Sequence, residues 1–285
     1  MAQKIDTRAV GLDTGLALVR WLTGAENLHY GLWTGLEMTA GNLRAAQEAY
    51  TAKLFTQLPP GPLRILDIGG GAGVTAKKLI ALGHSVEIVV PSAYLADCCR
   101  KNAPEAVLHQ CMFEDYTGSG PFDLCLFSES FQYIPMMGSL PKCHALLAPG
   151  GHVLIADCFR TDAYRGRRAE GPKPGGGHHD SSLRAALSTV PFTVVFEEDI
   201  TEGVAPSIDF EQGMFNVMGV GLTRTAVEIK AKKPVVNWLM TRVIRLFLSR
   251  KRRDNLVRRL TGKERTSAVF KIYNRYLILK LARKS

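Results

Sequence analysis

The chain of 285 residues is 46% hydrophobic and 22% charged, with a formal net charge of +10. That is enough apolar material for one large domain, or one domain with a cap, around a full core. No apolar run reaches the ~20 residues of a bilayer-spanning helix, and Met1 to Leu18 carry Asp6 and Asp13 without a continuous apolar block, which argues against a signal peptide.

The charge is unevenly spread. Residues 1–229 hold 18 Lys and Arg against 24 Asp and Glu, whereas residues 230–285 hold 18 against only Asp254 and Glu264. A mildly acidic body with a strongly basic tail points to an anionic partner surface, lipid headgroups or nucleic acid. The six cysteines (98, 99, 111, 125, 143, 158) show no C-x-x-C spacing and fall mostly within predicted strands and helices. They read as reduced, buried small hydrophobes of a cytoplasmic protein, not as ligands or bridges.

Residues 8–56 read as helical, with Val10, Leu16, Leu18, Trp21 and Leu22 as a rough amphipathic set. Within them stands Asn27-Leu28-His29-Tyr30-Gly31-Leu32-Trp33, whose aromatics either dock a helix on the core or face a ligand. Leu43 to Leu58 leads through the stiff linker Pro59-Pro60-Gly61-Pro62 to Leu63, Ile65, Leu66 and Ile68, a short buried strand. The glycines of Asp67-Ile68-Gly69-Gly70-Gly71-Ala72-Gly73 make a tight turn, and Val74 to Leu82 a helix. Strand, glycine turn and helix form the nucleotide-cradling unit of doubly wound α/β domains. Glycine lets the backbone approach a ligand closely, and the helix amino end offers free N–H groups to an anion. The spacing Asp67-x-Gly69-x-Gly71-x-Gly73 is not the dinucleotide pattern G-x-G-x-x-G.

Further strands follow at Ser85–Val90, Val107–Met112, Phe122–Phe127, His152–Asp157 and Phe192–Phe196, with helices at Ala93–Asn102, Leu140–Leu147 and Ser182–Leu187. Residues 160–180 read as a loop ending in Gly175-Gly176-Gly177-His178-His179-Asp180. Adjacent histidines rarely both ligate one metal, and no third ligand has a helpful spacing, so no metal is expected. The segment reads as a lid with His178 or His179 near a substrate, or as a plain loop. Residues 204–270 then form a cap, and Tyr276–Leu281 a last strand. In the cap, Pro234–Leu248 is amphipathic: Trp238, Leu239, Val243, Leu246 and Phe247 share an apolar face, while Arg242, Arg245 and Arg250 to Arg253 crowd one side and the end. Such a helix either lies on an anionic membrane or packs on the core with solvated arginines.

The Asp67–Gly73 turn resembles motif I of class I S-adenosylmethionine (SAM)-dependent methyltransferases. His29-Tyr30-Gly31-x-Trp33 is similar to a segment of the small-molecule branch: sterol, tocopherol and sugar methyltransferases and the cyclopropane-fatty-acid synthase group. Glu129-Ser130-x-x-Tyr133 resembles the E-S-x-x-H motif after strand four, with tyrosine in place of histidine. Leu147-x-Pro149-Gly150-Gly151 with its strand, and Asp199-Ile200-Thr201, extend the likeness over about residues 27–200.

The resemblance implies a seven-stranded, Rossmann-like α/β sheet. A helical N-terminal segment (1–58) precedes the SAM-binding core (59–203). A helical cap (204–270) separates strand six from an antiparallel strand seven (271–285). It implies SAM as cofactor, with Asp67, Gly69, Gly70 and Gly71 at the methionine end. Tyr30 would lie over the cofactor with His29 and Trp33 nearby, Phe113 and Glu114 at the adenine, and Ser92 and Ser128 at the border. The acid that closes strand two on the ribose in this family is missing: Val90 stands there. Glu87, three residues earlier, points to the other face of the strand. The ribose is then held otherwise, with Ser92 a candidate, or the cofactor binds weakly or not at all.

Methyl transfer from a sulfonium is an in-line displacement, in which the protein aligns nucleophile and methyl roughly 3 Å apart and excludes water. A hydroxyl or amine acceptor profits from a base; a carboxylate needs none. Glu129 is the candidate for orienting or deprotonating the substrate, or else a structural carboxylate. Tyr133 and His178 join it as catalytic candidates, and Asp157, near the end of strand five, is placed to reach a substrate. Met214, Phe215, Val217, Met218, Val220 and Leu222 suit a long, apolar acceptor. The expected substrate is lipid-like, isoprenoid or polyketide-type, with a fatty-acid carboxyl group as one candidate, and an anionic membrane's inner face an expected partner. Two other readings stand beside it. One is an RNA methyltransferase gripping phosphates with its basic tail, opposed by the tail's apolar residues at helical spacing and by the lack of an N/D-P-P-(Y/F) tetrad. The other is a non-catalytic SAM-fold binding or scaffold protein, raised by Val90.

Overall fold

The structure, a computed structural model, describes residues 7–164, 166, 176–247, 249–262 and 265–284, with side chains from residue 11 onward. The sheet is built from β1 (Arg64–Ile68), β2 (Ser85–Val89), β3 (Val107–His109), β4 (Phe122–Ser128), β5 (Leu147–Arg160), β6 (Phe192–Asp199) and β7 (Asn274–Arg283). Their order is β3-β2-β1-β4-β5-β7-β6, with β7 antiparallel to both its neighbours and every other pair parallel. In such a sheet the order reverses between β1 and β4, and a crevice opens beyond their carboxyl ends.

The central strands are apolar on both faces, as a sheet covered on both sides requires. Alternate residues feed two separate cores. Ile65, Ile88, Leu124, Leu126, Leu154 and Ile278 belong to one. Leu66, Ile68, Val89, Phe127, Ile155 and Leu279 belong to the other. Around the sheet lie α1 (Thr7–Thr23), α2 (Leu43–Phe55), α3 (Val74–Ala81), α4 (Ala93–Asn102), α5 (Met136–Leu146) and α6 (Asp180–Thr189). Between β6 and β7 come α7 (Thr201–Val204), α8 (Pro206–Lys232), α9 (Pro234–Phe247), α10 (Arg250–Thr261) and α11 (Ser267–Tyr273). The six cysteines are free thiols, five of them buried.

Three departures from the sequence reading matter most for the site, beside smaller shifts at the ends of β6, β7 and α5. Residues 24–39 are not helical. Gly24, at φ +67, ends α1 with its N–H on the Arg20 carbonyl at 2.9 Å. The buried Gln47 amide then donates to the carbonyls of Asn27 and His29 at 3.0 and 2.9 Å, holding this stretch away from helical geometry. Strand β5 runs well past the expected Asp157, because it pairs with β7 continuously from His152 opposite Ala282 to Arg160 opposite Asn274. Strand β3, by contrast, stops at His109.

One hydroxyl ties the start of the cap to the N-terminal segment. Ser207 Oγ accepts the Gly31 N–H at 3.0 Å and the Trp33 indole N–H at 2.8 Å, and donates to the Gly31 carbonyl at 3.2 Å. Ser207→Ala would strand two buried donors. The expected cost is about 2 kcal/mol, read as a drop of roughly 5 °C in unfolding temperature by calorimetry; an unchanged midpoint contradicts the tie.

Candidate functional site

The glycine turn leaves the end of β1 in left-handed backbone, with Gly69 at φ +78, Gly71 at +55 and Gly73 at +83. At Gly70 the constraint is space: a Cβ there would meet Asp67 Oδ2 at 2.7 Å and Ile88 Cγ2 at 2.8 Å. At Gly71 a Cβ would have only Leu28 Cδ1 near it, at 3.7 Å, so this position combines open space with backbone that side chains rarely adopt. A cavity of about 550 Å³ lies along the turn and is walled by the ends of β1, β2 and β4, the 26–31 segment, α8 and α10. That volume suits a small-molecule ligand.

Asp67 is buried, and burial pushes its carboxyl up to about 7. Its Oδ2 has no hydrogen-bond partner. A buried carboxylate oxygen without a donor is costly unless a ligand supplies one. This orphan oxygen, the open turn and the cavity fit the SAM that the resemblance implies.

The other end of the cavity centres on Glu129, the one non-glycine residue with positive φ (59) among those described. Backbone strain of this kind collects at functional sites. Its own N–H is fixed on the Ala156 carbonyl at 2.8 Å. Oε1 accepts the Tyr30 N–H at 2.8 Å and the Tyr276 hydroxyl at 2.8 Å. The Tyr276 hydroxyl also meets that of Tyr50 at 2.9 Å, which in turn meets Ser128 Oγ at 3.2 Å. Burial raises the Glu129 carboxyl to about 8, partly offset by the Tyr30 N–H and the Tyr276 hydroxyl and reinforced by the nearby Asp157. A third group, from the cap, completes the wall. Arg265 forms a two-pronged pair with Glu211, at 3.0 Å for each prong, and reaches the Tyr30 hydroxyl.

Tyr30, Asp67, Gly69, Gly70, Gly71, Ser92, Phe113, Glu114, Ser128, Glu129 and Tyr133 all line the cavity. Ser92 also caps α4, accepting the Leu95 N–H at 3.3 Å. Val90 lines the cavity too, while Glu87 is turned away and held by Arg64 at 2.7 Å, His109 at 2.8 Å and Tyr116 at 3.3 Å. The aliphatic side chain that closes β2 on the cavity is therefore a feature of the fold. No shift of register brings an acid there.

Three expected residues do not reach the cavity. His178 Nε2 donates to the carbonyls of Ile134 at 2.8 Å and Phe131 at 3.1 Å, and its ring packs edge-on against Phe131. It braces the loop after β4 and stays outside the cavity lining. Asp157 does similar work: its oxygens accept the N–H groups of Gln132 at 2.9 Å and Cys158 at 2.7 Å. Trp33 is buried against Phe210 and bound to Ser207. His29 lines the cavity, but its nitrogens meet the Tyr30 carbonyl at 2.8 Å and Thr51 Oγ1 at 3.2 Å, and burial lowers it to about 4. Of the expected lid, residues 165 and 167–175 lie outside the described residues. Among those described, no cluster of His, Cys, Asp and Glu could hold a metal. Sequence reasoning missed Tyr50, Tyr276, Glu211 and Arg265, which carry no local motif.

A family model described as "Methyltransferase domain" matches residues 41–195. Ubiquinone biosynthesis O-methyltransferases are similar: that of Caulobacter sp. (strain K31) is 34% identical over 109 residues, 35% of this chain and 42% of that protein. That of Nitrobacter winogradskyi is 36% identical over 104 residues, 35% and 40% respectively. The chain thus aligns with less than half the length of these relatives. Two solved structures share the fold over 99% of this chain and their entire length: the cyclopropane synthase MmaA2 from Mycobacterium tuberculosis, with TM-score 0.69 and 16% identity, and a geranyl diphosphate C-methyltransferase from Streptomyces coelicolor A3(2), with TM-score 0.62 and 13% identity. Together with the glycine turn and the sheet order, the family match over more than half of the chain makes the protein a member of the methyltransferase-domain family.

Proposed function

We propose that the chain is a SAM-dependent methyltransferase that methylates an oxygen of an apolar, lipid-like small molecule. The observation that carries the reading is the cavity itself, with the unpartnered Asp67 oxygen beside the glycine turn and the strained Glu129 carboxyl lining the same space. Bound there, the cofactor would supply an activated methyl group on a sulfonium. The turn and Asp67 would hold its amino-acid end, Phe113 and Glu114 its base. Val90 offers the ribose an apolar wall, leaving Ser92 as the nearby hydroxyl donor.

The acceptor side follows from Phe210, Met214 and Phe270, which line the cavity beside Arg259 and Arg265. The relatives named for ubiquinone biosynthesis and the neighbour bound to geranyl diphosphate support an apolar acceptor. Glu129 holds its proton near neutrality and titrates at about 8, where a carboxylate is an effective base toward a hydroxyl. A fatty-acid carboxyl is the second reading, favoured by the two arginines; it would need no base.

Calorimetry tests the cofactor. The chain should bind SAM, and Gly71→Trp, which fills the open side of the turn, should abolish the heat while far-ultraviolet dichroism is retained. No heat from the native chain at high micromolar SAM, or unchanged affinity in the variant, contradicts the placement. Glu129→Gln tests the base: transfer to a hydroxyl acceptor should fall about 100-fold and lose its rise through pH 8. An undiminished rate favours the carboxyl acceptor. The same variant has a second readout. Because the folded Glu129 keeps its proton up to about 8, against an ordinary value of 4.5, wild-type stability falls as pH rises across that interval. Glu129→Gln should show a shallower fall, Asp67 and Asp157 supplying the remainder; parallel curves contradict the burial of this carboxyl.

A further inference from the structure

Helix α9 is turned inside out. Its apolar residues are the exposed ones: Trp238 at 54%, Leu239 at 51%, Leu246 at 82% and Phe247 at 78%. The residues partly covered are the polar Asn237 and Thr241, one helical turn apart. No residue of α9 is buried. Val220, Leu222 and Val227 of α8 and Leu256 and Val257 of α10 add further exposed apolar surface. Exposed apolar side chains gathered on these three packed helices mark an interaction site.

Charge says what covers it. Among the described residues, Arg242, Arg245, Arg250, Lys251, Arg252 and Arg253 have no carboxylate within salt-bridge distance. Arg242 instead lies over the Trp238 ring at 4.6 Å. An apolar face bordered by uncompensated cations matches a bilayer whose headgroups are anionic. No described helix is long and apolar enough to cross a membrane, so contact is from one side. Position says why it is there. Helix α10 packs on α8 so closely that a Cβ at Gly219 would meet the Leu260 carbonyl oxygen at 2.1 Å. The same two helices put Phe210, Glu211, Met214 and Arg259 into the cavity wall.

We infer that α9, with the outer faces of α8 and α10, docks the protein on an anionic lipid bilayer and sets the cavity beside the membrane from which an apolar acceptor partitions. The inference deepens the acceptor reading above, but its test uses neither cofactor nor acceptor, so the two can fail separately.

The full chain is sedimented with vesicles of phosphatidylcholine alone and with vesicles rich in phosphatidylglycerol. Binding should be at least about tenfold stronger to the anionic vesicles and should weaken with salt. Leu246→Glu with Phe247→Glu should remove the binding. Arg250→Gln, Lys251→Gln, Arg252→Gln and Arg253→Gln together should lower it by about 100-fold or more. Both variants should keep the native unfolding temperature and far-ultraviolet dichroism. Vesicle binding that is absent, indifferent to lipid charge or unchanged in both variants overturns the inference. So does a dimer dissociated by the Leu246 and Phe247 changes, or tight RNA binding lost in the fourfold variant, if either occurs without vesicle binding.

Discussion

One carboxylate oxygen holds the site together. Glu129 Oε1 receives an N–H from the N-terminal segment and a hydroxyl from the last strand, while the backbone of Glu129 is pinned to β5. The sheet alone would leave an open crevice at its carboxyl edge. These bonds bring Tyr30 across that crevice and turn it into a cavity. The cost is a left-handed glutamate and a carboxyl whose charge is disfavoured. Neither would persist unless the surroundings over-determined them. The hydroxyl chain from Tyr276 through Tyr50 to Ser128 stiffens the same corner, so Glu129 is held from the N-terminal segment, β5 and β7 with α2 behind them.

The cap extends this logic outward. Ser207 anchors its start to the Tyr30 segment, and Arg265 brings its end back onto the Tyr30 hydroxyl. The helices between these anchors are free to present a surface of their own. That division explains how one insertion both closes the cavity and exposes apolar side chains that the core has no room to bury.

Local signals carried the parts of the fold that local physics decides. The glycines after β1 can be read directly, because neither the turn nor the approach of Asp67 admits a Cβ, and helix α4 spans the residues its pattern implied. Strand ends were harder. The extra length of β5 comes from a partner more than a hundred residues away, which alternation within β5 cannot reveal. The same distance hid Tyr276, 147 residues from the carboxylate it serves, and Ser207, 174 residues from Trp33. His178 shows the converse. A histidine beside glycines in a loop looks available, yet two backbone carbonyls already occupy its ring nitrogen. In α9 the apolar stripe was visible, but the covering of Asn237 and Thr241 in its place was not.

Methyl transfer from this cavity to an apolar acceptor is the proposed reaction. The most direct measurement incubates the protein and isotopically labelled SAM with a lipid extract and follows the label into the organic phase by mass spectrometry. It predicts a new apolar species heavier by one labelled methyl group, formed only with active protein. A donor that stays intact, or label found only in RNA or other water-soluble material, would contradict it.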